Sequence, residues 1–190
     1  MAVERVEGAT DSRIAAYRDV RDADLVRVRG LFVAEGRLVV RRVIEDPRYR
    51  VESILVNDAA LNDLESTAKG LAGEVPVFVT DADGLARIAG YDVHRGCLAL
   101  VHRPPPLPVD ELLAQAETLV VMEGVTNADN VGGVFRNAAA FGAGGVLLSP
   151  TCCDPFYRKA IRTSMAAVLH VPFARADDGD WPDVRPDPTG

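Results

Sequence analysis

The chain has 190 residues, 48% of them apolar and 26% charged, with a formal net charge of -7. That composition is too apolar for a disordered polymer. The longest apolar stretch, near residues 131–150, is interrupted by glycines and polar residues, which excludes a membrane-spanning helix from the reading. Three cysteines, Cys97, Cys152 and Cys153, form neither a disulfide framework nor a metal-type spacing, so no metal is expected. The first residues carry Glu4 and Glu7 and lack an apolar run, so no export signal is read and a reducing, cytoplasmic setting is expected.

In chain order, a helix start is signalled at Thr10 and Asp11. Short β-type runs at 31–33, 51–56, 75–79 and 97–101 then alternate with helical patterns at 37–45, 59–70 and 83–89. Short strands separated by helices of about ten residues indicate an α/β sheet rather than a bundle or a sandwich. Pro104, Pro105, Pro106 and Pro108 cannot continue a helix or a central strand. They define a stiff linker over 103–108 and a domain boundary. Alternation resumes with a helix at 109–116, a strand at 118–122, a helix at 131–141, a strand at 145–148, a helix at 155–168 and a strand at 170–173. Beyond that, residues 174–190 are rich in Asp, Gly and Pro and read as a disordered acidic tail. The expected organisation is a first domain over 1–102 and a second over 109–173, the latter a thin, incomplete parallel sheet.

Charge is unevenly placed. Residues 1–50 hold 11 basic against 9 acidic residues, and 19 of the 21 basic residues are arginine, the cation suited to bidentate phosphate contacts. A GC-rich coding bias explains the arginines equally well, so charge permits an RNA partner without demanding one.

The most informative stretch runs from Val121 to Pro150. A buried strand leads through a polar loop to a helix whose expected N-cap is Asn130. Gly132 and Gly133 fall in its first turn, where glycine is a poor helix former, so close approach by another group is expected there. Free N–H groups, the macrodipole and absent side chains make an anion or ribose-phosphate seat. Val131, Val134, Phe135, Ala138 and Phe141 or Gly142 form the apolar stripe, and Arg136 lies off it, able to lean back toward Asn130. A capped amphipathic helix with a solvated arginine fits the same residues. The spacing matches neither GxGxxG nor GxxxxGK[ST].

The run from Asn130 to Arg136 (Asn-Val-Gly-Gly-Val-Phe-Arg), with Phe141-Gly142-Ala143 after it, resembles the first motif of the SpoU/TrmH class of RNA 2′-O-ribose methyltransferases, in the SPOUT superfamily. Upstream, Leu31 to Gly36 with residues 51–56, and His94-Arg95-Gly96 with residues 97–101, resemble that class's N-terminal substrate-binding domain. Downstream, Arg162-Thr163-Ser164-Met165 and Val171-Pro172 resemble the segment after the first motif. Arg95 stands where Gln is usual and Ala166 where Gly is common. The likeness spans residues 10–173. Nothing in 174–190 resembles the two further motifs that build the family's knot, its S-adenosylmethionine pocket and much of its dimer interface.

The resemblance implies a ribosomal-protein-like α/β domain followed by a shortened SPOUT domain. It also implies methyl transfer from S-adenosylmethionine to a ribose 2′-hydroxyl of ribosomal or transfer RNA, in a homodimer. Asn130 and Arg136 are then the catalytic pair: Arg136 clamps phosphate and stabilises the developing alkoxide, because a guanidinium is a poor base, and Asn130 orients the ribose or shapes the loop. Arg37, Arg41, Glu35, Arg162 and Ser164 are the RNA-contact candidates, with Arg27, Arg29 and Arg42 as further arginines of the first domain. Each has a plainer reading: Glu35 as a turn residue, Ser164 as a helix cap, Arg162 as a surface charge. His94 and His102 read as surface histidines, and the Cys152-Cys153 pair as incidental. The cofactor pocket is expected to be incomplete, with its residues unknown. The alternative reading is a catalytically inactive RNA-binding fragment.

Overall fold

The computed structural model describes residues 2–6, 10–18, 21–68, 75–89, 96–179 and 181. The chain divides into two compact units, Met1–Pro104 and Pro105–Gly190. His94 and Arg95 lie outside the described residues.

The first unit is a five-stranded mixed sheet ordered β1-β4-β3-β5-β2, with β1 Ala2–Arg5, β2 Leu31–Glu35, β3 Val51–Asn57, β4 Pro76–Thr80 and β5 Cys97–His102. β1 and β3 run parallel to β4, while β5 runs antiparallel to both β3 and β2. Ile54, Leu55, Val56, Leu98 and Ala99 are wholly buried, as the continuous apolar runs of β3 and β5 require of strands covered on both faces. Leu31, Val33, Leu55, Leu98 and Leu100 share one core with Ile14, Tyr17, Leu25, Leu85 and Ile88. These come from the short 3-10 helix Ser12–Tyr17, the turn Asp24–Val28 and helix α3 Ala82–Ala89. Helices α1 Arg37–Glu45 and α2 Asp58–Ala68 bury Val40, Val43, Ala60 and Leu64. The β3–β5 register shifts between Val51 and Ser53. Beside that irregularity the buried Tyr17 hydroxyl meets Ser53 Oγ at 2.8 Å and accepts the Leu100 N–H at 3.2 Å.

The second unit is a three-stranded parallel sheet, β6 Leu119–Met122, β7 Gly145–Leu148 and β8 Phe173–Arg175, ordered as in the chain. Leu112 of α4 (Val109–Gln115) packs with Leu147 and Ala174. Helix α5 (Ala128–Ala140) buries Val131, Phe135 and Ala138, and Phe135 meets Phe173 edge-on at 5.4 Å. Helix α6 (Arg158–Thr163) packs on α5.

Three expectations are corrected in this unit. Residues 174–179 are no tail: Ala174 is the middle of β8, Ala176 is buried, and Trp181 packs on the Leu112 cluster. A three-residue strand, Phe-Ala-Arg, is too short to show a period-two pattern. The helix foreseen over 155–168 is α6 plus a 3-10 turn, Ala167–Leu169, split where Met165 and Ala166 take φ of 53° and 69°. No glycine marks that break. Phe141 leaves the apolar stripe at the C-cap and is 89% exposed. The end of α5 is set by Gly142 at φ 70°, with Ala143 N–H donating to Ala138 O at 2.9 Å.

Candidate functional site

The N-cap of α5 is Asn127, three residues before the expected Asn130. Its carboxamide oxygen accepts the N–H groups of Asp129 at 2.8 Å and Asn130 at 3.4 Å. Asn130 is thus the third helical residue. The apolar run that begins at Val131 suggested the later start, but Ala128 and Asp129 are compatible with a first turn, where an acidic residue also suits the macrodipole. Two of the N–H groups expected to face an anion are consumed by this cap.

The adjacent glycines face different surroundings. A Cβ on Gly132 would lie 2.5 Å from Ala160 O and 2.9 Å from Thr163 Cβ, whereas a Cβ on Gly133 would meet nothing within 4 Å. The group that approaches Gly132 is therefore the backbone of α6. Asp129 fastens the same crossing: Lys159 Nζ lies 2.7 Å from its carboxylate and the Thr163 hydroxyl donates to it at 3.0 Å. The hydrogen bond from Lys159 is the main reason its carboxyl is held below the ordinary range, with the Thr163 bond and the charges of Lys159 and Arg162 adding to it.

On the outer side, Asn130, Gly133 and Arg136 follow one another at every third residue. At 100° per residue, Asn130 and Arg136 stand about 120° apart around the axis and about 9 Å apart along it, with the bare Gly133 midway. Both side chains are exposed, and no described residue hydrogen-bonds or ion-pairs with either. A helical arginine leans toward the N-terminus, the direction in which Gly133 lies. The arrangement offers a cation, an amide donor and acceptor, and exposed main chain along one edge.

The other candidates are distributed differently. Arg162 is exposed on the last turn of α6, near enough to Asp129 to lower its pKa. Ser164 is 1% exposed, and its hydroxyl donates to Ile161 O at 2.9 Å and accepts Val168 N–H at 3.5 Å. It caps α6, and the RNA-contact reading of this residue is corrected: a buried hydroxyl with both functions used has no surface to offer. In the first unit, Arg37 pairs with Asp63 across α1 and α2, and Arg41 pairs with Glu45 at 2.7 Å along α1. Exposed pairs of this kind contribute little and exchange readily for another anion. Glu35 is half-buried at the end of β2. His102 lies between Arg50 and Glu52. Cys152 and Cys153 are both buried, with Sγ of Cys152 donating to Met122 O at 3.2 Å.

Sequence reasoning missed Arg175. From β8 its guanidinium donates to backbone carbonyls of residues 149–153, at the carboxyl end of β7. The only signal was an arginine inside a stretch that otherwise reads as acidic.

Residues 117–181 match the SpoU rRNA Methylase family. An uncharacterized tRNA/rRNA methyltransferase of Mycobacterium bovis is 37% identical over 184 residues, covering 95% of this chain and 62% of that protein. The 23S rRNA (guanosine(2553)-2′-O)-methyltransferase RlmP of Bacillus subtilis is 22% identical over 175 residues, covering 91% of this chain and 65% of its own. Among solved structures, the AdoMet-bound rRNA methyltransferase from Sinorhizobium meliloti superposes with a TM-score of 0.79 at 21% identity, covering 94% of this chain and 67% of that one. The shared fold is a mixed α/β architecture with a parallel sheet. The chain carries this match to the SpoU rRNA Methylase family wholly within its second unit. It spans 62% of the length of the mycobacterial relative.

Open α/β sheets receive ligands beyond the carboxyl ends of their strands. In the second unit those ends are filled by the protein's own groups: Ser149 Oγ takes the Gly124 N–H, Cys153 N–H goes to Val125 O, and Arg175 occupies the Ser149–Cys153 carbonyls. A cavity of about 360 Å³ lies instead between α5 and the start of β6, lined by Thr118, Val120, Val134, Asn137 and Phe141 among others. It has no ionisable side chain in its lining to meet the charged end of S-adenosylmethionine. That cavity by itself does not fit the cofactor's charged end. Among the described residues no cluster suits a metal ion, and no helix is long and apolar enough to cross a membrane.

Proposed function

We propose that this chain provides the RNA-acceptor side of an S-adenosylmethionine-dependent RNA 2′-O-ribose methyltransferase of the SpoU/TrmH class. The observation that carries the reading is the unpartnered Asn130–Gly133–Arg136 edge within the segment that matches the SpoU family. The name of the Bacillus relative, a ribose 2′-O-methyltransferase of ribosomal RNA, supports the reaction type. In this reading Arg136 grips a phosphate beside the target nucleotide, and its fixed charge stabilises the 2′-oxygen as its proton leaves. Asn130 orients the ribose through its carboxamide. The first unit is taken as the RNA-binding domain of ribosomal-protein-like fold, offering Glu35, Arg37 and Arg41. Its arginines exchange internal carboxylates for phosphates. Arg162 adds a phosphate contact beside α5, and the working form is a cytoplasmic homodimer.

In this reading the methyl donor's pocket draws on groups beyond the described residues, which the hydrogen-bonded loops at the strand ends support. The same observation favours a second reading, in which this chain binds structured RNA and transfers no methyl group itself. Incubation of the chain with radiolabelled S-adenosylmethionine and bulk ribosomal and transfer RNA separates the two. Incorporation that alkaline resistance of the linkage assigns to ribose 2′-O supports the enzyme; RNA binding without incorporation supports the second reading. In both, Arg136→Ala weakens RNA binding and lowers the slope of log affinity against log salt by about one. An Arg136→Ala chain with unaltered affinity and salt slope refutes the acceptor edge.

A further inference from the structure

Arg175 ends β8, and Nη1 of its guanidinium donates to the carbonyls of Ser149 at 3.1 Å, Pro150 at 3.0 Å and Cys152 at 2.9 Å. Nη2 donates to Cys153 O at 3.3 Å. Four carbonyl oxygens of one tight loop converge on a single planar cation. The planar guanidinium reaches all four from two nitrogens, one Nη1 hydrogen being shared between two carbonyls, whereas an ammonium offers its three donors around one point.

The loop held in this way holds the next one. Ser149 Oγ accepts the Gly124 N–H at 2.9 Å, Ser149 N–H donates to Met122 O at 2.9 Å, and Cys153 N–H donates to Val125 O at 2.8 Å. Gly124, at φ 60°, turns the chain out of β6 toward Asn127, the cap of α5. A continuous series of hydrogen bonds thus runs from Arg175 through residues 149–153 to residues 124–125. From there Thr126 alone leads to the cap that sets the first turn, where Asn130 stands. Arg136 lies nearly two turns further on, beyond the α6 crossing that Gly132 and Asp129 fix independently.

We propose that Arg175 is a positioning residue for the acceptor edge. It locks the two loops at the carboxyl end of the sheet and so fixes where α5 begins and how Asn130 is presented. The proposal rests on the reading of Asn130 and Arg136 as the RNA-acceptor pair.

The test uses the full chain carrying Arg175→Ala, with amide hydrogen exchange and affinity for a structured RNA as readouts. Both are repeated with millimolar methylguanidinium and, as an ionic control, methylammonium. The expected result is exchange at Gly124 and Cys153 at least about tenfold faster, with the amides of β2, β3 and β5 unmoved. RNA affinity falls several-fold, and methylguanidinium restores both quantities in part where methylammonium does not. Should Arg175→Ala fail to fold, Arg175→Lys replaces it, and exchange at the two amides should lie above the native rate. Native exchange at Gly124 and Cys153 in either folded variant overturns the proposal. So does faster exchange with unaltered RNA affinity when Arg136→Ala does weaken binding, an outcome that leaves the acceptor reading standing. If Arg136→Ala binds RNA as the native chain does, the acceptor reading fails and the role assigned to Arg175 fails with it, even where exchange shows that the clamp holds the loops.

Discussion

Replacing either of two neighbouring glycines by alanine should move stability in opposite directions. Gly133 is helical and faces open space, so Gly133→Ala gains the helix propensity that glycine forfeits, about 0.5–1 kcal/mol. Gly132→Ala receives the same gain. It also sets a methyl group 2.5 Å from Ala160 O, 2.9 Å from Thr163 Cβ and 3.0 Å from the Ser164 nitrogen. None of these is the end of a flexible side chain, so α6 must shift. Overpacking of this kind costs about 1–3 kcal/mol, and here it should lie toward the upper limit because main-chain atoms are involved. The net effect of Gly132→Ala is then a loss of about 1–2 kcal/mol, and the two variants differ by about 2–3 kcal/mol. For a unit of this size each kcal/mol moves the midpoint by about 4–8 °C, so thermal unfolding followed by circular dichroism should place the variants on opposite sides of the native chain. Two variants displaced equally and in the same direction would refute the close α5–α6 crossing. Gly133→Ala carries a second expectation: though more stable, it fills the gap between Asn130 and Arg136 and should bind structured RNA more weakly.

Tyr17→Phe deprives Ser53 and the Leu100 N–H of a buried partner and should destabilise the first unit by about 2 kcal/mol in urea titration. Ala166→Gly relieves a left-handed conformation at φ 69° and should stabilise the second unit by about 0.5–1 kcal/mol on the same measurement, after the greater freedom of glycine in the unfolded chain is counted. Asp11 is held down to about 2, chiefly by the hydrogen bond from the Arg13 guanidinium. A depressed folded value means that its contribution is present above the ordinary carboxylate range, near ~4, and is lost as pH falls through the folded one. Asp129 follows the same sign through its bond with Lys159. Stability measured against pH from about 5 downward should therefore fall less steeply in Asp11→Asn and Asp129→Asn than in the native chain. Cys97 is buried and its thiol is pushed up to about 12, mainly by desolvation, so it should resist alkylating reagents at pH 8 until the first unit unfolds.

The alternation of strands and helices was legible because it rests on apolar periodicity, and Arg37–Glu45 and Gly145–Leu148 fall where the pattern put them. What escaped depends on distant partners. Ala2–Arg5 becomes a strand only because β4 lies beside it. Asn127 and Asn130 are equally good caps on local grounds, and the helix starts at the earlier one because Asp129 finds Lys159 and Thr163 on α6. Gly132 and Gly133 read alike in the sequence, yet only α6 distinguishes them. Ser164 and Arg175 could be assigned once burial and the carbonyls around them were known, since neither spacing nor residue type encodes those neighbours.

The pairing order of the two sheets has a consequence for synthesis on the ribosome. In the second unit each strand joins the one made just before it, so the sheet can assemble as it emerges. In the first, Ala2 pairs with Pro76 and Leu31 with His102. The amino-terminal strand must wait, unpaired, for more than seventy residues to be translated, and β2 waits for β5. The nascent chain therefore carries two unsatisfied strand edges for several seconds at ordinary elongation rates of about 5–20 residues per second. That interval is when a holding chaperone would find its binding surface.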